Sequence, residues 1–413
     1  MNTSAQTDPA QLSGALHAAE GDPDRIVADL PTECVQNHAA NLMPLANGDI
    51  GCVWFGGTQE GIADISIYFS RLAKDGSRWS APVRLSDDPT RSEQNPVLFV
   101  APDGKLWLLH TSQKSGHQDT AIVKCRVSPD SGRSWGPSAI LFDGPGTFVR
   151  QPLVVLDNGD WLAPVFHCRA APGEKWVGNH DVSAVRISGD QGATWAEHEV
   201  PGSTGCVHMN IVKAAGGRLL AFFRSRWADH VYVSHSADSG RHWSQPQPTE
   251  LPNNNSSIQV TRLSNGHLAI VYNDMSAAQA SERRVSLYDE IEDDDEVPTS
   301  SAAEAVPSSG GRTAFWGAPR APMTIAISED DGRTWPRKRN LETGDGYCMT
   351  NNSAQRLNRE YSYPSIRQTS DGAIHIAYTV FRQRIPRLAT RAWRRPASMR
   401  WVLGGCLFCV IEP

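Results

Sequence analysis

Six residues stand nine positions ahead of the glycine of a recurring tight turn: Ala39, Asn95, Arg150, His208, Ser257 and Tyr363. One step further back come His38, Gln94, Ser256 and Ser362, with Asn37 and Glu93 beside them. Arginine presents a rigid fork of donors to an anion, histidine and tyrosine exchange protons, and the amides of asparagine and glutamine both donate and accept. Each group lies immediately ahead of an apolar run such as Leu42-Met43, Val97-Leu98-Phe99 or Leu153-Val154-Val155. An exposed loop would also be polar, but chance explains poorly why Arg, His and Tyr share one register. Convergence of such groups in one concavity predicts a ligand site to which His38, Asn37, Gln94, Asn95 and Arg150 would contribute.

Three further candidates stand outside that register. Arg224 ends the apolar run Phe222-Phe223, and Arg320 precedes Ala321-Pro322-Met323. An arginine in an apolar strand needs an anionic partner, which a ligand or a structural ion pair would supply. Glu60 is the only carboxylate in the loop Gly56-Gly57-Thr58-Gln59-Glu60-Gly61. A mobile loop acid there could donate a proton, and a solvated surface charge is the ordinary alternative.

The elements that would position these residues repeat along the chain. Asn47-Gly48, Asp103-Gly104, Asn158-Gly159, Gly216-Gly217, Asn265-Gly266 and Asp371-Gly372 each sit between apolar runs, the signature of a hairpin. Six hairpins predict six four-stranded blades, and hence an all-β, six-bladed β-propeller. A second repeat, S-x-D-x-G-x-[ST]-W, runs over Ser128 to Trp135, Ser188 to Trp195, Ser236 to Trp243 (with His242 in the seventh place) and Ser328 to Trp335. A looser version contains Asp75, Gly76 and Trp79. Asp and Gly suit a tight turn and Trp wedges between sheets, so these boxes read as scaffold.

The predicted propeller spans 31–385, after an N-terminal segment 1–30 expected to be partly disordered. The last hairpin interval is long because of an insertion at about 282–312, acidic from Asp289 to Glu296 and then rich in Ser, Ala, Pro and Gly. That composition predicts a disordered loop. The arginine-rich stretch 386–413 matches neither repeat and reads as a closing strand or a tail.

A net charge of -6 spread over 413 residues argues against a general nucleic-acid binder. The first 30 residues lack the charge and apolar pattern of a secretory signal, and no stretch approaches a membrane span. The eight scattered cysteines suit the reduced thiols of a cytoplasmic protein. No cofactor and no metal are expected, and the expected partner is a carbohydrate, with no nucleic acid and no membrane; the sequence leaves the oligomeric state open.

The boxes, with Gln36-Asn37-His38-Ala39-Ala40-Asn41, Gly205-Cys206-Val207-His208-Met209-Asn210, Phe222 to Asp229 and Leu251 to Gln259, resemble the sialidase superfamily of Asp-box, or BNR, proteins. The resemblance covers roughly 35 to 385 and implies a six-bladed propeller with its site at the mouth. It implies that Tyr363 is the nucleophile, Arg224 the second carboxylate-binding arginine and Arg320 a third. It also exposes departures: Asn37-His38-Ala39 stands where the first arginine belongs, His208 where a glutamate would activate the tyrosine, and Glu60 is at best a replacement for the loop aspartate.

Two kinds of catalysis and one of binding fit. As a hydrolase, Tyr363 attacks the anomeric carbon, His208 accepts its proton and Glu60 protonates the leaving oxygen, while arginines hold an acidic sugar such as sialic acid. As a lyase, His208 and Tyr363 act as base and acid on a uronate whose carboxylate Arg150 or Arg224 neutralises. As a binding module, the same groups hold a glycan without turnover. The hydrolase reading is taken forward.

Overall fold

The computed structural model describes residues 12–284, 286–291 and 305–390. Their strands form six antiparallel sheets, the blades of a propeller. Blade 1 contains Gln36–Pro44, Ile50–Gly57, Ser66–Leu72 and Val83–Arg84; blade 2 contains Ser92–Val100, Leu106–Lys114, His117–Ser128 and Ala139–Phe142. In blade 3 two short pieces, Thr147–Phe148 and Val154–Val155, together pair with Trp161–His167, followed by Val182–Ser188 and Ala196–Glu199. Blade 4 runs through Cys206–Lys213, Leu219–Ser225, His230–Ser236 and Gln247–Pro252, and blade 5 through Gln259–Arg262, Leu268–Asn273, Met323–Ser328 and Arg337–Glu342. Middle strands such as Leu268–Asn273 and Met323–Ser328 are buried along their whole length, because both faces press on neighbouring blades. Outer strands such as Val83–Arg84 lie exposed.

Blade 6 joins the two ends of the chain. Tyr361–Gln368, Ile374–Val380 and Pro386–Thr390 are followed outward by Asp22–Asp29 and His17–Ala19. This corrects the sequence-derived boundaries 31–385: the propeller includes 17–29 and 386–390. The N-terminal segment is ordered where it is described, because its backbone has partners. Asp22–Asp29 pairs with Pro386–Thr390, and Trp79 N–H donates to the Gly14 carbonyl at 2.9 Å. Residues 1–11 and 391–413 lie outside the described residues.

The boxes are turns that close on themselves. In Ser188 to Trp195, the Asp190 carboxylate accepts from Thr194 N–H at 2.8 Å and Thr194 Oγ1 at 2.6 Å, while Gly192 N–H donates to Ser188 Oγ at 2.8 Å. The same bonds recur around Asp130 and Asp330. The glycine of each of the four full boxes is left-handed, and at Gly132 and Gly332 a Cβ would come within 2.6 Å of Phe69 and Phe222 on the preceding blade. The box tryptophans follow: Trp335 is fully buried and meets Phe222 edge-on at 6.0 Å, whereas Trp195 is only half-buried against Phe142.

The edges of the insertion also depart from expectation. Residues 292–304 lie outside the described residues, but Leu287, Tyr288, Ala314 and Trp316 are buried in one apolar cluster with Phe148, Phe166 and Trp176. Enough apolar surface flanks the acidic run to order both edges. Among the described residues, Cys34, Cys52, Cys125, Cys168, Cys206 and Cys348 are unpaired, and no helix is long and apolar enough to cross a membrane.

Candidate active site

The register read from the hairpins is a structural one. Ala39, Asn95, His208 and Tyr363 each sit where the innermost strand of their blade bulges, between His38 and Asn41, Gln94 and Val97, Val207 and Asn210, and Ser362 and Ser365. All four are left-handed, with φ of 60°, 50°, 55° and 53°. A non-glycine residue in that conformation costs of order 1 kcal/mol, and a bulge re-aims the side chain it carries. Arg150 falls in the break of the blade 3 inner strand, and Ser257 just ahead of Gln259–Arg262. One irregularity per blade thus turns these residues out of the ladder.

Tyr363 lies at the centre of what they form. Arg224 Nη1 donates to its Oη at 2.6 Å. The guanidinium carbons of Arg150, Arg224 and Arg320 lie 5.3, 5.6 and 5.7 Å from its ring centre. His38 packs on the ring at 4.2 Å and His208 meets it edge-on at 5.7 Å. Arg224 Nε is held by Asn255 Oδ1 at 2.8 Å, and its Nη1 faces His208 Nε2 at 3.4 Å. A guanidinium only donates, so Nε2 accepts and the imidazole proton belongs on Nδ1, 3.0 Å from Ser257 Oγ. Arg224, not a direct contact, links His208 to Tyr363 Oη.

The arginines divide by partner. Arg226 pairs with Asp181 at 2.8 Å, Arg320 with Glu360 at 2.8 Å, and Arg382 bridges Glu360 and Glu60, all buried. Burial alone would lower the Arg320 and Arg382 pKa values, but Glu360 raises both. Burial alone would raise Glu360, and Arg382 and Arg320 pull it below its ordinary range. Arg150 and Arg224 have no carboxylate among their bonds, and burial draws them down to about 10 and about 9. Arg150 Nη2 donates to the carbonyls of Ala40 and Tyr363 at 3.2 Å, while its Nε and Nη1 are buried without a partner. Burial, reinforced by these cations, pushes His38 and His208 well below the usual histidine range. Both ring nitrogens of His38 are unpartnered.

The structure therefore brings together Tyr363, His208, Arg224, Arg320, Arg150 and His38, with Gln94 and Asn95 at the blade 2 bulge. Two expectations change. Glu60 is not a free loop acid: it is buried and held by Arg382. Asn37 is spent on structure, donating to the Cys34 and Gln383 carbonyls at 3.0 and 2.8 Å and accepting from Thr32 and Trp54. Sequence reasoning missed Glu360, Arg382, Arg226 and Asp181. Arg382 lies in the turn after Ile374–Val380, and Glu360 one residue before the strand that carries Tyr363. Outside the hairpin register, the only available signal for Glu360 was a carboxylate three residues from that tyrosine.

Trp316 and Trp176 pack beside Arg226, and Tyr288 belongs to the same apolar cluster. Trp316 Nε1 donates to the Val177 carbonyl at 3.0 Å, and the Arg224 and Arg226 guanidinium carbons lie 5.8 and 5.1 Å from its ring. Tyr363 is left only 6% exposed.

A six-bladed propeller whose bulged inner strands gather arginines, histidines and a tyrosine at one mouth is the architecture of sialidase-like proteins. The BNR repeat-like domain model matches residues 48–376, and the chain belongs to that family. Solved structures with the same fold include a Hadza microbial sialidase (TM-score 0.60, 14% identity, covering 87% of this chain and 66% of that one). A Dyadobacter fermentans protein of unknown function matches with TM-score 0.60 and 15% identity over 86% of this chain and 94% of its own. Trypanosoma rangeli sialidase in complex with sialic acid matches with TM-score 0.57 and 13% identity over 93% and 57%. The chain thus spans about two thirds or less of the two sialidases, and identities this low establish the fold alone. A comparison with curated proteins finds no match.

Proposed function

We propose that the mouth is the active site of a sialidase-like glycoside hydrolase acting on a carboxylated sugar, with Tyr363 at the reaction centre. The observation that carries this reading is the 2.6 Å bond from Arg224 to Tyr363 Oη, formed by a buried guanidinium that has no carboxylate of its own. A substrate carboxylate would supply the missing counter-charge. Burial is the main cause that suppresses His208 and Arg224 adds to it; a substrate carboxylate would neutralise that added part, so that Nε2, released from Arg224, gains basicity as the substrate arrives. Tyr363 Oη then bonds to the anomeric carbon as the glycosidic oxygen leaves, its proton passing to His208, and water later cleaves the tyrosyl intermediate. Glu60 serves as proton donor to the leaving oxygen only once its pair with Arg382 opens and the freed carboxylate takes up a proton from water.

A second reading, elimination across a uronate with Tyr363 and a histidine as acid and base, is favoured by one feature: among the described residues no carboxylate bonds to Tyr363 Oη. One experiment separates the readings. The purified protein is incubated with sialosides and uronate-containing oligosaccharides while product mass and ultraviolet absorbance are followed together. A gain of one water without absorbance supports the hydrolase, and new absorbance without water the lyase. Binding with every glycoside left intact rejects both in favour of a binding module.

A further inference from the structure

Tyr288 is an unusual neighbour for the mouth, because it brings one hydroxyl to three amides. Gln94, Gln113 and Gln118, all buried on blade 2, direct their Nε2 atoms at Tyr288 Oη from 3.3, 3.2 and 3.0 Å. A phenol oxygen has two lone pairs, so three donors exceed what it can accept well. Its own proton reaches Gln94 Oε1 at 3.4 Å, and Gln113 Oε1 is buried with no partner. Gln94 Nε2 also donates to Ser92 Oγ at 3.0 Å and Gln118 Oε1 accepts from Cys168 Sγ at 3.3 Å, so what the niche leaves over is the Gln113 oxygen and a third donor crowded on one phenol oxygen. Buried polar groups left short of partners mark a place made for a richer ligand.

We infer that Gln94, Gln113 and Gln118 form a subsite for the hydroxyl groups of a sugar, and that Tyr288 fills it in this closed state. Amides that donate and accept match hydroxyls, which do both; a carboxylate would only accept. Position agrees: Gln94 precedes the blade 2 bulge at the mouth, and Glu60, paired with Arg382, acts electrostatically on Tyr288. The inference rests on the reading that the mouth binds a sugar. It adds that the sugar must displace Tyr288 to be held fully.

The test is Tyr288→Phe, which removes the competing hydroxyl and keeps the ring. Affinities for N-acetylneuraminic acid and galacturonic acid are measured by titration calorimetry beside the wild type, with melting temperatures to certify folding. The expected result is tightening by about tenfold for whichever sugar binds, equivalent to about 1.4 kcal/mol, with the gain removed by Gln113→Ala in the same background. Gly61→Ala gives a second route: its Cβ would come within 2.6 Å of the Tyr288 ring and 2.7 Å of Ile291, at a φ of 101° that strains alanine, so once its melting temperature certifies folding it displaces the tyrosine without touching the glutamines and should tighten binding as well. Sugar binding that neither variant changes overturns the subsite and leaves the proposed function standing. If no variant binds either sugar, the reading of the mouth as a site for these acidic sugars falls, and the subsite falls with it.

Discussion

The rim of the propeller and its mouth use the same backbone device for opposite ends. At the rim, each of the four full boxes pairs a left-handed residue with a left-handed glycine, Gln191 with Gly192 or Asp331 with Gly332, and the turn's polar side chains bond to its own backbone. At the mouth, left-handed Ala39, Asn95, His208 and Tyr363 break the ladder, and what gathers there is not closed on itself: His38 and Arg150 keep unpartnered nitrogens. Repetition marks the rim because every blade must solve the same packing problem. The mouth differs from blade to blade, since each contributes one piece of a single asymmetric site. The box tryptophans Trp135 and Trp335 also bury an unpartnered Nε1, so an orphaned nitrogen alone does not mark a site; at the mouth, cations and histidines are left short together around one tyrosine, where a ligand would meet them.

The sharpest way to break this contrast is at Tyr363. Under either catalytic reading, Tyr363→Phe should lower kcat by about a thousandfold or more while the melting temperature stays close to wild type. Turnover that survives would remove Tyr363 from the mechanism.

Glu360→Gln should expose the opposite character of the paired arginines. It strips Arg320 and Arg382 of a buried carboxylate and is expected to cost about 3–5 kcal/mol in denaturant unfolding, as breaking a buried pair does. Because Glu360 is depressed when folded, its contribution is present above its ordinary value of 4.5 and is lost as pH falls through the lower folded value. Acid unfolding of the wild type should steepen in that range and that of the variant should not; identical pH profiles would contradict the pairing.

The rim can be graded. Trp335→Ala, at a fully buried ring, should destabilise by about 3–5 kcal/mol, and Trp195→Ala, at a half-buried one, by distinctly less. Equal losses would mean that burial between blades is not what the box tryptophan supplies. The smallest effect belongs to Asp190, which is exposed and drawn down to about 2 by its bonds to Thr194. Asp190→Asn should leave catalysis untouched and the melting temperature nearly so, and NMR titration of the wild type should find this carboxylate near that value.

The sequence carried the fold through its periodicity. Six turn glycines, all left-handed in the structure, counted six blades, and their register located Tyr363, His208 and Arg150. Arg224 was visible because a charge interrupts an apolar strand. What stayed hidden depended on contacts made across the ring. Arg382 and Glu60 meet from opposite ends of the chain, and nothing local announces that pairing. Tyr288 was obscured by its neighbours, since the acidic run that begins beside it dominates the composition there. The sequence left the arginine-rich stretch 386–413 open between a closing strand and a tail, and only the pairing of Pro386–Thr390 with Asp22–Asp29 decides for its first residues.

That pairing has a consequence for biosynthesis. Asp29 meets Pro386 in blade 6, so the ring is latched by two segments that the five other blades separate along the chain. Blades 1 to 5 can form hairpin by hairpin during translation, but Asp22–Asp29, paired only with His17–Ala19, must wait with its other edge open until Pro386–Thr390 emerges. Such a long-range closure is slow, and the waiting edge invites pairing with another chain. The chain is therefore most exposed to misassembly while Asp22–Asp29 waits for Pro386–Thr390.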